Sequence, residues 1–127
     1  MVEPRIVLPD IVAEKSTCRI TGALVDEAGV ALSSAQLSTL TLTLYALTDT
    51  LPIVNSNTDK NVLNANQGTI DAGGLCALTL APADNVIMAT GQRDETHRAL
   101  LRWTWAAGNK AGLLEIDFRV RNFEKVT

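Results

Sequence analysis

The segment from His97 to Val120 restricts the fold of this chain more than any other. His97, Ala99, Leu101, Trp103 and Trp105 form one alternating set, and Leu114, Ile116, Phe118 and Val120 form a second; both are almost wholly apolar. The residues between them include Arg98, Arg102, Thr104, Glu115, Asp117 and Arg119, all charged or polar. A period of two with one apolar face marks a half-buried strand, because successive side chains of an extended chain point to opposite sides. Between the runs lies Gly108-Asn109-Lys110-Ala111-Gly112, rich in residues that tolerate positive φ. The runs are therefore expected to form an antiparallel hairpin that turns there. The polar face carries bases on the first strand and acids on the second, which suits cross-strand ion pairs.

The same periodicity recurs upstream. Thr17 to Leu24 places Cys18, Ile20 and Leu24 on one side, and Leu37 to Leu47 alternates Leu40, Leu42 and Leu44 with Thr39, Thr41, Thr43 and Tyr45. Leu75 to Leu80 reads as a further strand, with shorter apolar pairs at Ile53-Val54, Val62-Leu63 and Thr69-Ile70. Asp26 to Gly29, Asp49-Thr50 and Gly73-Gly74 supply turns. Only Asp84 to Met88 suggests a helical turn. About seven strands at roughly ten-residue spacing, without a long helix, predict an all-β chain folded as an antiparallel β-sandwich. A length of 127 residues suits one domain.

Residues 1–15 stand apart from the domain at 16–127. Pro4 and Pro9 interrupt regular structure, yet Ile6, Val7, Leu8, Ile11 and Val12 are apolar and want a surface to lie on. Two readings follow: an edge strand folded back on its own domain, or an extended N-terminal arm lying across a neighbouring subunit. These five residues are the candidate partner-binding set.

Several classes of function are disfavoured. A net charge of -3 does not provide the broad basic surface of a nucleic-acid binder. The sequence has no run of about 18 uninterrupted apolar residues, so no membrane span is expected. The opening Met1-Val2-Glu3-Pro4-Arg5 does not resemble a signal peptide, so synthesis and retention in the cytoplasm are expected. Cys18 and Cys76 invite comparison with an antibody-type disulfide, but no Trp lies between them and residue 74 is Gly where a Tyr would stand. Buried free thiols are expected instead.

His97 is the only histidine, and no Gly-x-Ser-x-Gly elbow accompanies it, so a structural role on the apolar face is expected. One His and two distant Cys do not make a zinc site. Asn55, Asn57, Asp59 and Asn61 alternate as calcium-loop ligands would. However, the loop opens on Asn, has Lys60 at its sixth position in place of Gly and Asn66 at its twelfth in place of Glu, so it reads as turn chemistry. No phosphate-binding glycine loop is present. Trp103 and Trp105 alternate with Arg102 and so face away from it, which favours core packing over a nucleic-acid platform. The sequence thus predicts no catalytic residue, cofactor or metal. A carbohydrate-binding module for host attachment is the rival reading, disfavoured by an aromatic content of 4% and by the apolar stripe that holds both tryptophans.

An ordered set of short motifs adds a resemblance. Leu42-Thr43-Leu44-Tyr45, Ile53-Val54-Asn55-Ser56, Asn61-Val62-Leu63-Asn64-Ala65-Asn66, Asp84-Asn85, Glu95-Thr96-His97, the Trp103-Thr104-Trp105 strand and Val120-Arg121-Asn122-Phe123 follow one another over about residues 20–123. In that order the chain resembles a group of small structural proteins of tailed-bacteriophage virions. The resemblance implies an immunoglobulin-like (Ig-like) β-sandwich of about seven strands that is part of the particle, assembled in the host cytoplasm. It implies a non-enzymatic role in protein-protein interaction, foremost as a head decoration or cement protein bound to the major capsid protein, alternatively in the neck or tail. Multiple copies or a homo-oligomer in a symmetric assembly are expected, with no nucleic-acid or membrane partner. No site residues carry over from the group.

Overall fold

The computed structural model describes residues 5–71, 73–89 and 91–122. They form eight strands: β1 (Arg5–Ala13), β2 (Cys18–Ala23), β3 (Leu37–Ala46), β4 (Lys60–Asn61), β5 (Gly68–Ile70), β6 (Leu75–Leu80), β7 (Asp94–Trp105) and β8 (Lys110–Arg121). Five strands make one sheet in the order β1-β8-β7-β3-β4, and three make the other in the order β2-β6-β5. The two sheets share one core, so the chain is an all-β sandwich.

That core follows from the alternation. From the larger sheet Leu40, Leu42, Leu44, Ala99, Leu101, Trp103, Leu114, Ile116, Phe118 and Val120 point inward, and from the smaller sheet Ile20, Cys76, Leu78 and Leu80 meet them. On the outer face Arg98 stands opposite Asp117 and grips it with two hydrogen bonds of 2.7 and 3.0 Å. Arg98 also reaches Glu115 at 2.8 Å. The bases and acids of the hairpin therefore pair as their placement on facing strands predicts.

Three local expectations are corrected. The β7–β8 ladder continues to Trp105 opposite Lys110, so the turn is Ala106 to Asn109 and not the Gly108–Gly112 stretch. Positive φ is carried by Ala106 (54°), Ala107 (57°) and Gly108 (85°). Gly112 instead lies within β8 opposite Trp103, where a Cβ would come 2.7 Å from the indole ring; its smallness serves packing. The single helical turn is a 3-10 turn at Pro82–Asp84, earlier than the sequence suggested, because Pro82 is suited to its first position. The Ile53-Val54 pair forms no strand, Ile53 making only an isolated bridge to Tyr45, while β1 and the two-residue β4 join the larger sheet, so the eight strands stand close to the expected seven.

Alanine in the left-handed region costs about 1–2 kcal/mol, which glycine avoids at the expense of unfolded-chain entropy. Ala106→Gly and Ala107→Gly are each expected to stabilise the protein by about 0.5 kcal/mol. Thermal unfolding of the two variants checks this, and a fall in midpoint for both would contradict it.

Candidate functional site: the outer edge of the larger sheet

β1 is the edge strand of the larger sheet and runs parallel to β8. Arg5 stands opposite Glu115 and bonds it at 3.1 Å. Ile6 and Val7 pair with Ile116 and Asp117, but the next pairs are Ile11 with Arg119 and Val12 with Val120. Four steps along β1 thus match two along β8, and the chain bulges at Leu8, Pro9 and Asp10. Proline explains the location: it has no N–H for the ladder and is tolerated at edges and bulges.

The five apolar residues of this segment divide between two roles. Leu8 and Val12 are partly buried and pack on the core. Ile6 is 36% exposed, Ile11 37% and Val7 70%. Val7 to Ile11 rise over Thr96, Asp117, Phe118 and Arg119 and enclose a shallow notch on the outer face. In the described residues the segment is therefore strand-paired to its own domain; Ile6, opposite Ile116, lies on the core side, while Val7 and Ile11, opposite Asp117 and Arg119, leave an apolar pair on the outer face of the sheet margin. Burying one such side chain in a partner contributes roughly 1.5–3 kcal/mol.

The other polar groups singled out in the sequence occupy structural positions. Cys18 lies opposite Leu80 and Cys76 opposite Gly22, on neighbouring strands of one sheet. Four ladder positions separate them, about 13 Å at strand rise, well beyond the reach of a disulfide. Both are free, and burial pushes the Cys76 thiol up to about 11. Trp103 is 3% exposed and donates its indole N–H to the Val25 carbonyl at 3.1 Å. Trp105 is half-buried against the core and, with Trp103, borders a shallow groove beside Val25 to Glu27.

The Asn55–Asn61 loop turns inward to a carboxylate. Asp84 is 3% exposed, and its Oδ1 accepts from the side-chain amides of Asn55 (2.9 Å) and Asn57 (2.8 Å). Its Oδ2 accepts from the Ala81 N–H at 2.8 Å. Asn57, fully buried, also donates to the Val54 carbonyl at 2.9 Å and accepts from the Gln67 amide at 2.9 Å. Asn55, Ser56, Asp59, Asn64 and Asn66 all take positive φ, the conformation that Asn and Asp tolerate best. The amide groups that alternate along this loop thus serve as donors to Asp84 and as turn formers. Among the described residues, no group of three or more His, Cys, Asp or Glu side chains converges to hold a metal ion.

His97 is fully buried on the inner face of β7. Its Nε2 lies 2.7 Å from Glu95 Oε1, and its ring meets Phe118 edge-on at 5.8 Å. The Glu95 carboxylate was missed in the sequence, although Glu95 and His97 sit two apart and so share a strand face. Comparison with known proteins gives no match to a family model, a curated protein or a solved structure.

Proposed function

We propose that this chain is a non-enzymatic structural subunit of a tailed-phage virion, a decoration or cement protein on the outside of the head, and that the β1 edge is its docking element. The observation that carries the reading is the exposed apolar pair Val7 and Ile11, on the outer side of a strand at the margin of the sandwich. Edge strands and their outward side chains are recurrent recognition surfaces, and repetition in a symmetric shell multiplies modest contacts. The sequence resemblance to virion proteins supports the same reading. So does the strand order. With β2 to β8 lettered B, C, C′, D, E, F and G, the sheets read G-F-C-C′ and B-E-D, as in an Ig-like sandwich.

The test is co-sedimentation with empty phage heads and, separately, with purified tails. Saturable binding to heads, in copies that follow the shell lattice, is expected. Because Val7 and Ile11 are exposed, the double variant Val7→Asp/Ile11→Asp keeps its fold while its head affinity falls roughly 100-fold. Binding only to tails, or at one vertex, would move the protein to the neck or tail. Binding to neither would sink the virion reading.

A further inference from the structure

The connector between β6 and β7 is held to the body of the protein through carboxylates. The Ile87 N–H donates to Glu14 Oε2 at 2.9 Å, the Met88 N–H to Glu95 Oε1 at 2.7 Å, and the Ala89 N–H to Glu95 Oε2 at 2.9 Å. Three successive backbone donors are thus gripped by two acidic side chains. Glu95 Oε1 also takes the bond from His97 Nε2, so one buried oxygen ties the connector to the imidazole.

The other imidazole nitrogen, Nδ1, is buried and has no hydrogen-bond partner among the described residues. With Nε2–H donating to a carboxylate, a neutral ring leaves Nδ1 as a lone acceptor, which is tolerable. A protonated ring would place an N–H there with nothing to receive it, and an unpaired charged donor in a closed site is costly. Glu95 on the same strand and Glu14 from the β1–β2 link are the charged groups that act on the ring; β8 presents Phe118 and β3 presents Ala46.

We propose that residues 86–89 form a latch that opens as pH falls, with His97 as its proton sensor. Opening admits water to Nδ1 and lets the imidazolium form. Burial lowers the His97 titration in the closed state, against the attraction of Glu95 and Glu14. In the open state the ring returns to about 6.5, the value of a solvated histidine. The closed latch is therefore fully favoured above about 6.5 and loses ground as pH falls from there towards the depressed closed-state value. Burial also works to raise Glu95, but the Met88, His97 and Ala89 donors outweigh it and lower its titration, so the carboxylate keeps its grip while His97 responds.

Amide hydrogen exchange, corrected for intrinsic rates, tests this on the full chain. Between about pH 7.5 and about pH 5.5 the opening constant at Ile87, Met88 and Ala89 is expected to rise by up to about tenfold. Amides of Ala99, Leu101 and Ile116 in the β7–β8 hairpin stay unchanged. His97→Gln keeps a donor for Glu95 and abolishes the pH response. If that variant does not fold, the His97 ring resonance of the native protein serves in its place, and its titration must track the opening. Constant exchange at 87–89, loss in step with the hairpin, a response that survives in His97→Gln, or a ring titration that does not track the opening would each overturn the latch.

Discussion

Replacing Asp84 with Ala is expected to lower the unfolding free energy by about 3 kcal/mol. The carboxylate receives three donors: the Asn55 and Asn57 amides and the Ala81 N–H. Removing it strands polar groups around Asn57, which is fully buried, and each unsatisfied buried donor costs roughly 1–3 kcal/mol. For a domain of this size the melting temperature would fall by about 10 °C. Asp84→Asn retains one acceptor oxygen and the side-chain volume, so a loss of about 1–2 kcal/mol is expected. Urea unfolding of both variants measures the difference. A loss for Asp84→Ala within the roughly 0.5 kcal/mol of an ordinary surface change would show that the loop does not depend on this carboxylate.

Gly68→Ala is expected to cost about 3 kcal/mol, the top of the usual range for overpacking. A Cβ on Gly68 would collide with the carbonyl oxygen of Val62 and lie 2.7 Å from the Val62 Cβ. Neither side can yield easily. The Val62 N–H is bonded to the Leu40 carbonyl of the larger sheet at 3.0 Å, while Gly68 is paired with Leu78 in the smaller sheet. The glycine thus marks a place where the two sheets approach backbone to backbone. Gly91→Ala is the control: its φ of 82° penalises alanine, but nothing lies within 4 Å of the added Cβ. About 1 kcal/mol is expected there. Gly68 itself has no positive φ, so its cost lies in the collision alone; a loss for Gly68→Ala no larger than that of Gly91→Ala would show that the Val62 backbone gives way to the added Cβ.

The strands were legible where burial is one-sided. β3, β7 and β8 each have one wet face and one dry face, so their side chains alternate and the sequence declares them. The polar interior was less legible, because its partners are distant in the chain. Pro82-Ala83-Asp84-Asn85 reads as a simple turn, and nothing within it announces that Asp84 will receive amides from positions 55 and 57. The Asn-rich loop shows the complementary difficulty: amides at alternate positions suit turns, ligands and buried networks alike, and only the tertiary fold selects among them. For β1, composition indicated a segment in need of a surface. Its parallel pairing with β8 depends on register between the two ends of the domain, which no local period encodes.

That pairing orders events in time. Arg5 and Glu115 meet across 110 positions of sequence. β1 leaves the ribosome first among these strands, yet its partner in the sheet emerges last. The nascent chain therefore carries an unpaired apolar strand through the synthesis of nearly the whole domain. Closing so long a loop is entropically expensive and slow, so the β7–β8 hairpin, whose contacts are local, forms before β1 can dock. Through that interval Ile6, Val7 and Ile11 are open to capture by a chaperone or by another nascent chain, and the rate at which β8 is delivered sets how long the exposure lasts.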